Sequence, residues 1–210
     1  VLPEVAAAGE MFDDRELFLL QPNWREGVEI NLSTEREAVD IGRGPISVYS
    51  PIPYVDREYR ATFLGRSADA VFEVVDFFRR QYGRLGEFFM PTGTADLKPI
   101  SALASGTATL TTAGHGDFAT HNDNEGTGSE QVAQAIFVAL HDGTYVAKKI
   151  LSVALSGDNS VFTLDSNWAS TIALSQIRYV SYLPLCRFAG DTLTVQWLTD
   201  GVAQFNLTFR

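Results

Sequence analysis

The histidines, the single cysteine and the carboxylates bound the chemistry open to this chain. His115 and His121 lie six residues apart, with Asp117 and Asp123 nearby, and imidazole and carboxylate at such a distance can hold a metal. The surrounding residues 113–129 are polar and Gly-rich, and no further ligand motif matches. A solvated loop is the simpler reading. His141 sits in another expected loop. Asp13, Asp14 and Asp40 have the chemistry for acid–base work, but among 26 acidic residues pairs arise without purpose. Cys186 follows Leu183-Pro184-Leu185 with no histidine placed to activate it, so it reads as a small buried residue. No Gly-x-Ser-x-Gly elbow occurs, and the glycines near Ser129 carry no lysine at phosphate-cradling spacing. The residues therefore predict no enzyme, no metal and no cofactor. Trp24, Tyr49, Tyr54, Tyr59, Trp168, Tyr179, Tyr182 and Trp197 have the rings for a sugar-binding face. Most alternate within expected strands, which favours core packing. Trp168, in what reads as a turn or helix start, is the exception.

The elements that must position these groups are mostly strands. Val28, Ile30 and Leu32 alternate with polar residues, as do Tyr59, Ala61 and Phe63. Ile46, Val48 and Ser50 continue the alternation in a piece bracketed by Pro45, Pro51 and Pro53 and suited to an edge or a short strand. One helix is expected over residues 67–82. Ser67 is its N-cap, and Val71, Val74, Val75, Phe78 and Tyr82 form an apolar stripe that Phe72 and Phe77 widen. Asp76 and Arg80 form an i, i+4 pair, and Gly83 is the expected C-terminal stop. Phe88 to Met90 reads as a short buried strand. Beyond residue 101 the chain becomes rich in Thr, Ser, Ala and Gly. It holds strand candidates at 107–111, 135–140, 145–154 and 161–164, with Asp142-Gly143 as a hairpin turn. Strong alternation returns at 177–183, 192–198 and 202–209.

Composition narrows the function further. Of 210 residues, 45% are hydrophobic and 20% charged, as in a globular protein. The net charge of −10 argues against nucleic-acid binding and against docking on an anionic membrane. No apolar run reaches the roughly 18 residues of a membrane span, and residues 1–8 do not read as an intact secretory signal. A lone cysteine allows no internal disulfide and is compatible with assembly in a reducing cytoplasm.

Two stretches carry a resemblance. The first runs through residues 59–63, the helix and residues 77–92, with Asp96 and Leu97 downstream. The second covers residues 187–197 and 203–209. Together they resemble tail-tip proteins of long-tailed bacteriophages, the distal tail protein and lambda-type minor tail protein group. The shared order is helix, Gly-Arg, aromatic, Pro, Asp. The resemblance implies a mainly β chain: a β-sandwich ring domain with one packed helix, formed by residues 1–100 with 183–210, and an inserted β module at 101–182. It implies a virion structural role, in a ring, usually six-fold, that joins the tail tube to the hub and fibres. The expected partners are further copies of the chain, the tail tube protein, and the hub and other tail-tip proteins. Arg79, Arg80, Arg84 and Leu85, where the resemblance is densest and positive charge gathers, are the candidate assembly interface. The alternative from another class is a carbohydrate-binding β module for host adhesion.

Overall fold

A computed structural model describes residues 9–33, 37–39, 47–49, 56–114 and 135–210. Apolar alternation becomes sheet almost wherever the sequence places it. The chain is mainly β, with several antiparallel sheets and one α-helix, Ala68–Arg80. None of the helices among the described residues is long and apolar enough to cross a membrane. The chain divides into two compact units, residues 1–7, 20–87 and 186–210, and residues 8–19 and 88–185.

The first unit is built on a four-stranded antiparallel sheet ordered Val195–Trp197, Ala203–Phe209, Asp56–Gly65, Val28–Ser33. Phe205 lies opposite Phe63, Leu207 opposite Ala61, and Phe209 opposite Tyr59. This register puts the apolar set on one face, and the layer against that face is the helix. Ser67 caps it, its hydroxyl accepting the Ala70 N–H at 3.2 Å. Val71, Val74 and Phe77 are buried, whereas Phe72, expected to widen the packed stripe, is 58% exposed. It falls on the flank of the helix turned from the sheet. Phe188 ties helix to sheet, edge-on to Phe78 at 4.9 Å and tilted against Phe209 at 5.4 Å.

The second unit holds a five-stranded antiparallel sheet ordered Ile177–Tyr182, Ala135–Leu140, Tyr145–Ser156, Asn159–Leu164, Thr109–Ala113. Its central apolar run Ala135–Leu140 is buried on both faces, as an unbroken apolar strand requires. Ile136 and Val138 pack with Leu97, Leu103, Trp168 and Ile172. Ala135, Phe137 and Ala139 face the other way, against Leu17, Phe89 and Leu183, with Phe12 and Leu19 beside them. That second face explains where the division differs from the sequence boundaries: residues 8–19 and 88–100 cluster with the middle unit, and they supply part of its cover.

Trp168 is a correction. It is no surface turn residue: it is 2% exposed, its indole N–H donates to the Thr109 carbonyl at 2.9 Å, and the Lys148 ammonium lies 5.1 Å from its ring. Lys148 is itself buried, donating to Ser166 Oγ at 2.8 Å and the Asn167 carbonyl at 3.1 Å. The loop enters the core because a large ring and a satisfied indole N–H fill it better than smaller side chains would.

Candidate assembly site

The residues singled out for assembly gather where the helix ends. The helix stops one residue earlier than a Gly83 cap would place it. Gln81 keeps right-handed geometry, while Tyr82 is already left-handed at φ +52°, followed by Gly83 at φ +64°. A short 3₁₀ turn, Gly83–Leu85, follows. Buried Gln81 closes the loop, its carbonyl accepting the Gly86 N–H at 2.7 Å.

A distant residue locks this turn. Arg187 and Arg210 exchange backbone hydrogen bonds, and the Ala189 N–H donates to the Thr208 carbonyl at 2.9 Å. With Phe188 buried, this docks residues 187–189 along the final strand and carries Asp191 to the turn. Asp191 Oδ1 accepts the Arg84 N–H at 3.0 Å, and Oδ2 faces Arg84 Nε at 3.1 Å. A Cβ on Gly83 would lie 2.7 Å from Oδ1. Glycine is thus required both for its backbone angle and for the closeness of the carboxylate.

The turn holds its backbone inward and its side chains outward. Tyr82 is 77% exposed and Leu85 79%. The Arg84 pair is also open, with side chains 65% and 57% accessible for Arg84 and Asp191, so it adds little stability as an ion pair. The arginines meet carboxylates or rings of their own chain: Arg79 reaches Asp76 at 3.5 Å, and Arg80 lies over the Phe77 ring at 5.7 Å. The side chains left without such company are apolar, Tyr82 and Leu85. Sequence inspection named Leu85 but missed Tyr82 and Asp191. Tyr82 was hidden by counting it as part of the helical stripe. Asp191 stands 107 residues from Arg84, and no local spacing announces it.

A second carboxylate of the resembling stretch also organises a turn. Asp96 accepts hydrogen bonds from the Thr92 and Thr94 hydroxyls and from the Tyr182 N–H at 2.9 Å. Burial, then the Asp96 charge, pushes the Tyr182 phenol well above its usual range.

The groups considered for chemistry are scattered. His141 is exposed in the hairpin turn, and His115, His121, Asp117, Asp123 and Asp40 lie outside the described residues. Asp13 and Asp14, both with positive φ, form the turn between Met11–Phe12 and Arg15–Glu16, and Asp13 pairs with Lys149. The Thr144 hydroxyl, then its N–H, holds the Asp142 carboxyl below the usual range, which fixes the expected hairpin. Cys186 is half-buried, and burial pushes its thiol up to about 12. Among the described residues no group of three His, Cys, Asp or Glu is placed to hold a metal.

The rings proposed for a sugar face separate as well. Trp24 and Trp197 are about half exposed, Trp168 is in the core, Tyr59 packs on Phe209, and Tyr54 and the Tyr49 side chain lie outside the described set. A groove of about 360 Å³ crosses the outer face of the four-stranded sheet, lined by Glu26, Glu29, Arg60, Thr62, Asn206 and Thr208 among others, with no aromatic ring for a sugar to stack on. No protein-family model matches the chain, and no curated protein matches it.

Proposed function

We propose that this chain is a non-enzymatic structural protein of a long-tailed bacteriophage tail tip. It forms a ring with copies of itself between the tail tube and the hub and fibres. The observation that carries this reading is the clamped turn Tyr82–Leu85. In the stretch where the phage resemblance is densest, the fold fixes a backbone in left-handed geometry and spends two large apolar side chains on solvent. The turn ends the helix, but the exposed Tyr82 and Leu85 side chains add little to the monomer's core, whereas an interface takes rigid Tyr, Arg and Leu groups as anchors. The resemblance supports the phage setting, and the scatter of the chemistry-bearing residues suits a structural role.

The test is the double substitution Tyr82→Ala with Leu85→Ala. Truncating two interface anchors removes roughly 2–4 kcal/mol of association, about thirtyfold to a thousandfold in dissociation constant. Because both side chains are exposed, unfolding stability should move by no more than about 0.5 kcal/mol. Sedimentation velocity of the purified chain, and electron microscopy of particles assembled with the variant, read the first effect; urea unfolding reads the second. Unimpaired assembly of the double variant would remove the reading. Binding of oligosaccharides by a chain that stays monomeric would favour the adhesion module instead.

A further inference from the structure

The carboxylate of Asp191 makes two separate contacts with one residue of the turn, one to backbone and one to side chain. We infer that Asp191 is the positioning residue of the assembly contact: it holds Arg84, and through it Tyr82 and Leu85, in the geometry the neighbouring subunit receives. This inference rests on the reading of the turn as a contact.

Three observations converge. First, the Arg84 N–H and Nε each find a different oxygen of the same carboxylate, at 3.0 and 3.1 Å. That fixes the backbone and the direction of the guanidinium together. Second, Gly83 leaves no room for a side chain against Asp191, so the carboxylate sits against the turn and not beside it. Third, Tyr82 occupies a left-handed conformation that an aromatic residue does not adopt by preference, yet it is 77% exposed and its ring cannot be held by burial. The Tyr82 N–H to the Arg79 carbonyl and the Gly86 N–H to the Gln81 carbonyl hold the two ends of the turn, and the Asp191 clamp holds its middle at Arg84. Without the clamp, residues 82–85 regain backbone freedom, and that entropy must be removed again at each association. The clamp acts on affinity through preorganisation and touches no partner itself.

Asp191→Ala and Asp191→Asn test this in the full chain. Amide exchange of Arg84 should become about tenfold faster or more in the alanine variant. The asparagine variant, whose side-chain carbonyl still accepts the Arg84 N–H, should stay within about threefold of the parent. Self-association measured by sedimentation should weaken about tenfold in the alanine variant and recover largely with asparagine, while the melting temperature of the alanine variant falls by only about 2–4 °C. Unchanged Arg84 exchange in Asp191→Ala overturns the clamp. Faster exchange with unchanged association overturns its positioning role and leaves the turn as a contact. A parent chain that shows no association at about 100 μM, a concentration at which contacts of ordinary micromolar strength populate, removes the self-contact reading, and this inference with it.

Discussion

Replacing Gly83 by alanine separates backbone strain from the Asp191 contact, because the same unit offers a control. Gly83 and Gly27 both have positive φ, +64° and +82°. A Cβ at Gly27 meets nothing within 4 Å, whereas at Gly83 it meets Asp191 Oδ1 at 2.7 Å and Asp191 Cα at 3.1 Å. Forcing an L side chain into left-handed geometry costs roughly 1–2 kcal/mol. The reduced freedom of the unfolded chain returns about 0.4–1 of that. Gly27→Ala should therefore destabilise by about 0–1.6 kcal/mol. Gly83→Ala bears the same conformational cost and must also displace the carboxylate from the Arg84 N–H. A hydrogen bond to a charged group contributes about 1.5–3 kcal/mol, and with Asp191 more than half exposed a discounted value near 1 is appropriate. The expected total is about 1–2.6 kcal/mol, about 1 above the Gly27 control. Urea unfolding followed by fluorescence of Trp24 and Trp197, which belong to this unit, measures both variants with one probe. The decisive step is the double variant with Asp191→Ala. Once the carboxylate is gone, Gly83→Ala should fall to the cost of Gly27→Ala, a coupling of about 1 kcal/mol. Equal costs for the two glycines, or no coupling with Asp191, would refute the account of the turn.

Two further expectations concern buried groups. Trp168→Phe removes the indole N–H from the Thr109 carbonyl and leaves a smaller ring in the core, and it should destabilise the second unit by about 2–3 kcal/mol; a cost below about 0.5 in thermal unfolding would mean that the ring does not fill that core. At Cys186, with the thiol raised by burial from 9.0 to about 12, the folded thiolate fraction at pH 8 is about a thousandfold below that of the unfolded chain, so alkylation by iodoacetamide should be slower by at least about a hundredfold. The sign for stability follows: neutral thiol in both states below pH 9 gives no pH dependence from this group, and stability is lost as pH rises from about 9 towards 12, where only the unfolded chain ionises freely. Equal alkylation rates in folded and urea-unfolded protein would contradict the burial.

Local pattern determined much of this protein. Period-two alternation placed Val28–Ser33, Asp56–Gly65 and Ala203–Phe209 as strands, and the stripe from Val71 with the Ser67 cap placed the helix. The Asp142-Gly143 turn joined Ala135–Leu140 to Tyr145–Ser156 as the sequence predicts. These features rest on forces between residues a few positions apart, which a linear chain displays directly. Alternation says which side chains share a face; it does not say what covers that face. Only the tertiary structure decided that Phe12, Leu17 and Leu19 cover the second side of Ala135–Leu140, that Trp168 enters the core while Phe72 stays in water, and that Tyr82 leaves the helix. The candidate site divides in the same way. Arg84 and Leu85 were visible as a charged and an apolar residue after a helix, but the carboxylate that holds Arg84 comes from Asp191, brought there by Phe188 and the pairing of residues 187–189 with the last strand. A contact across 107 residues leaves no periodic trace, because its geometry exists only once the sheet has closed.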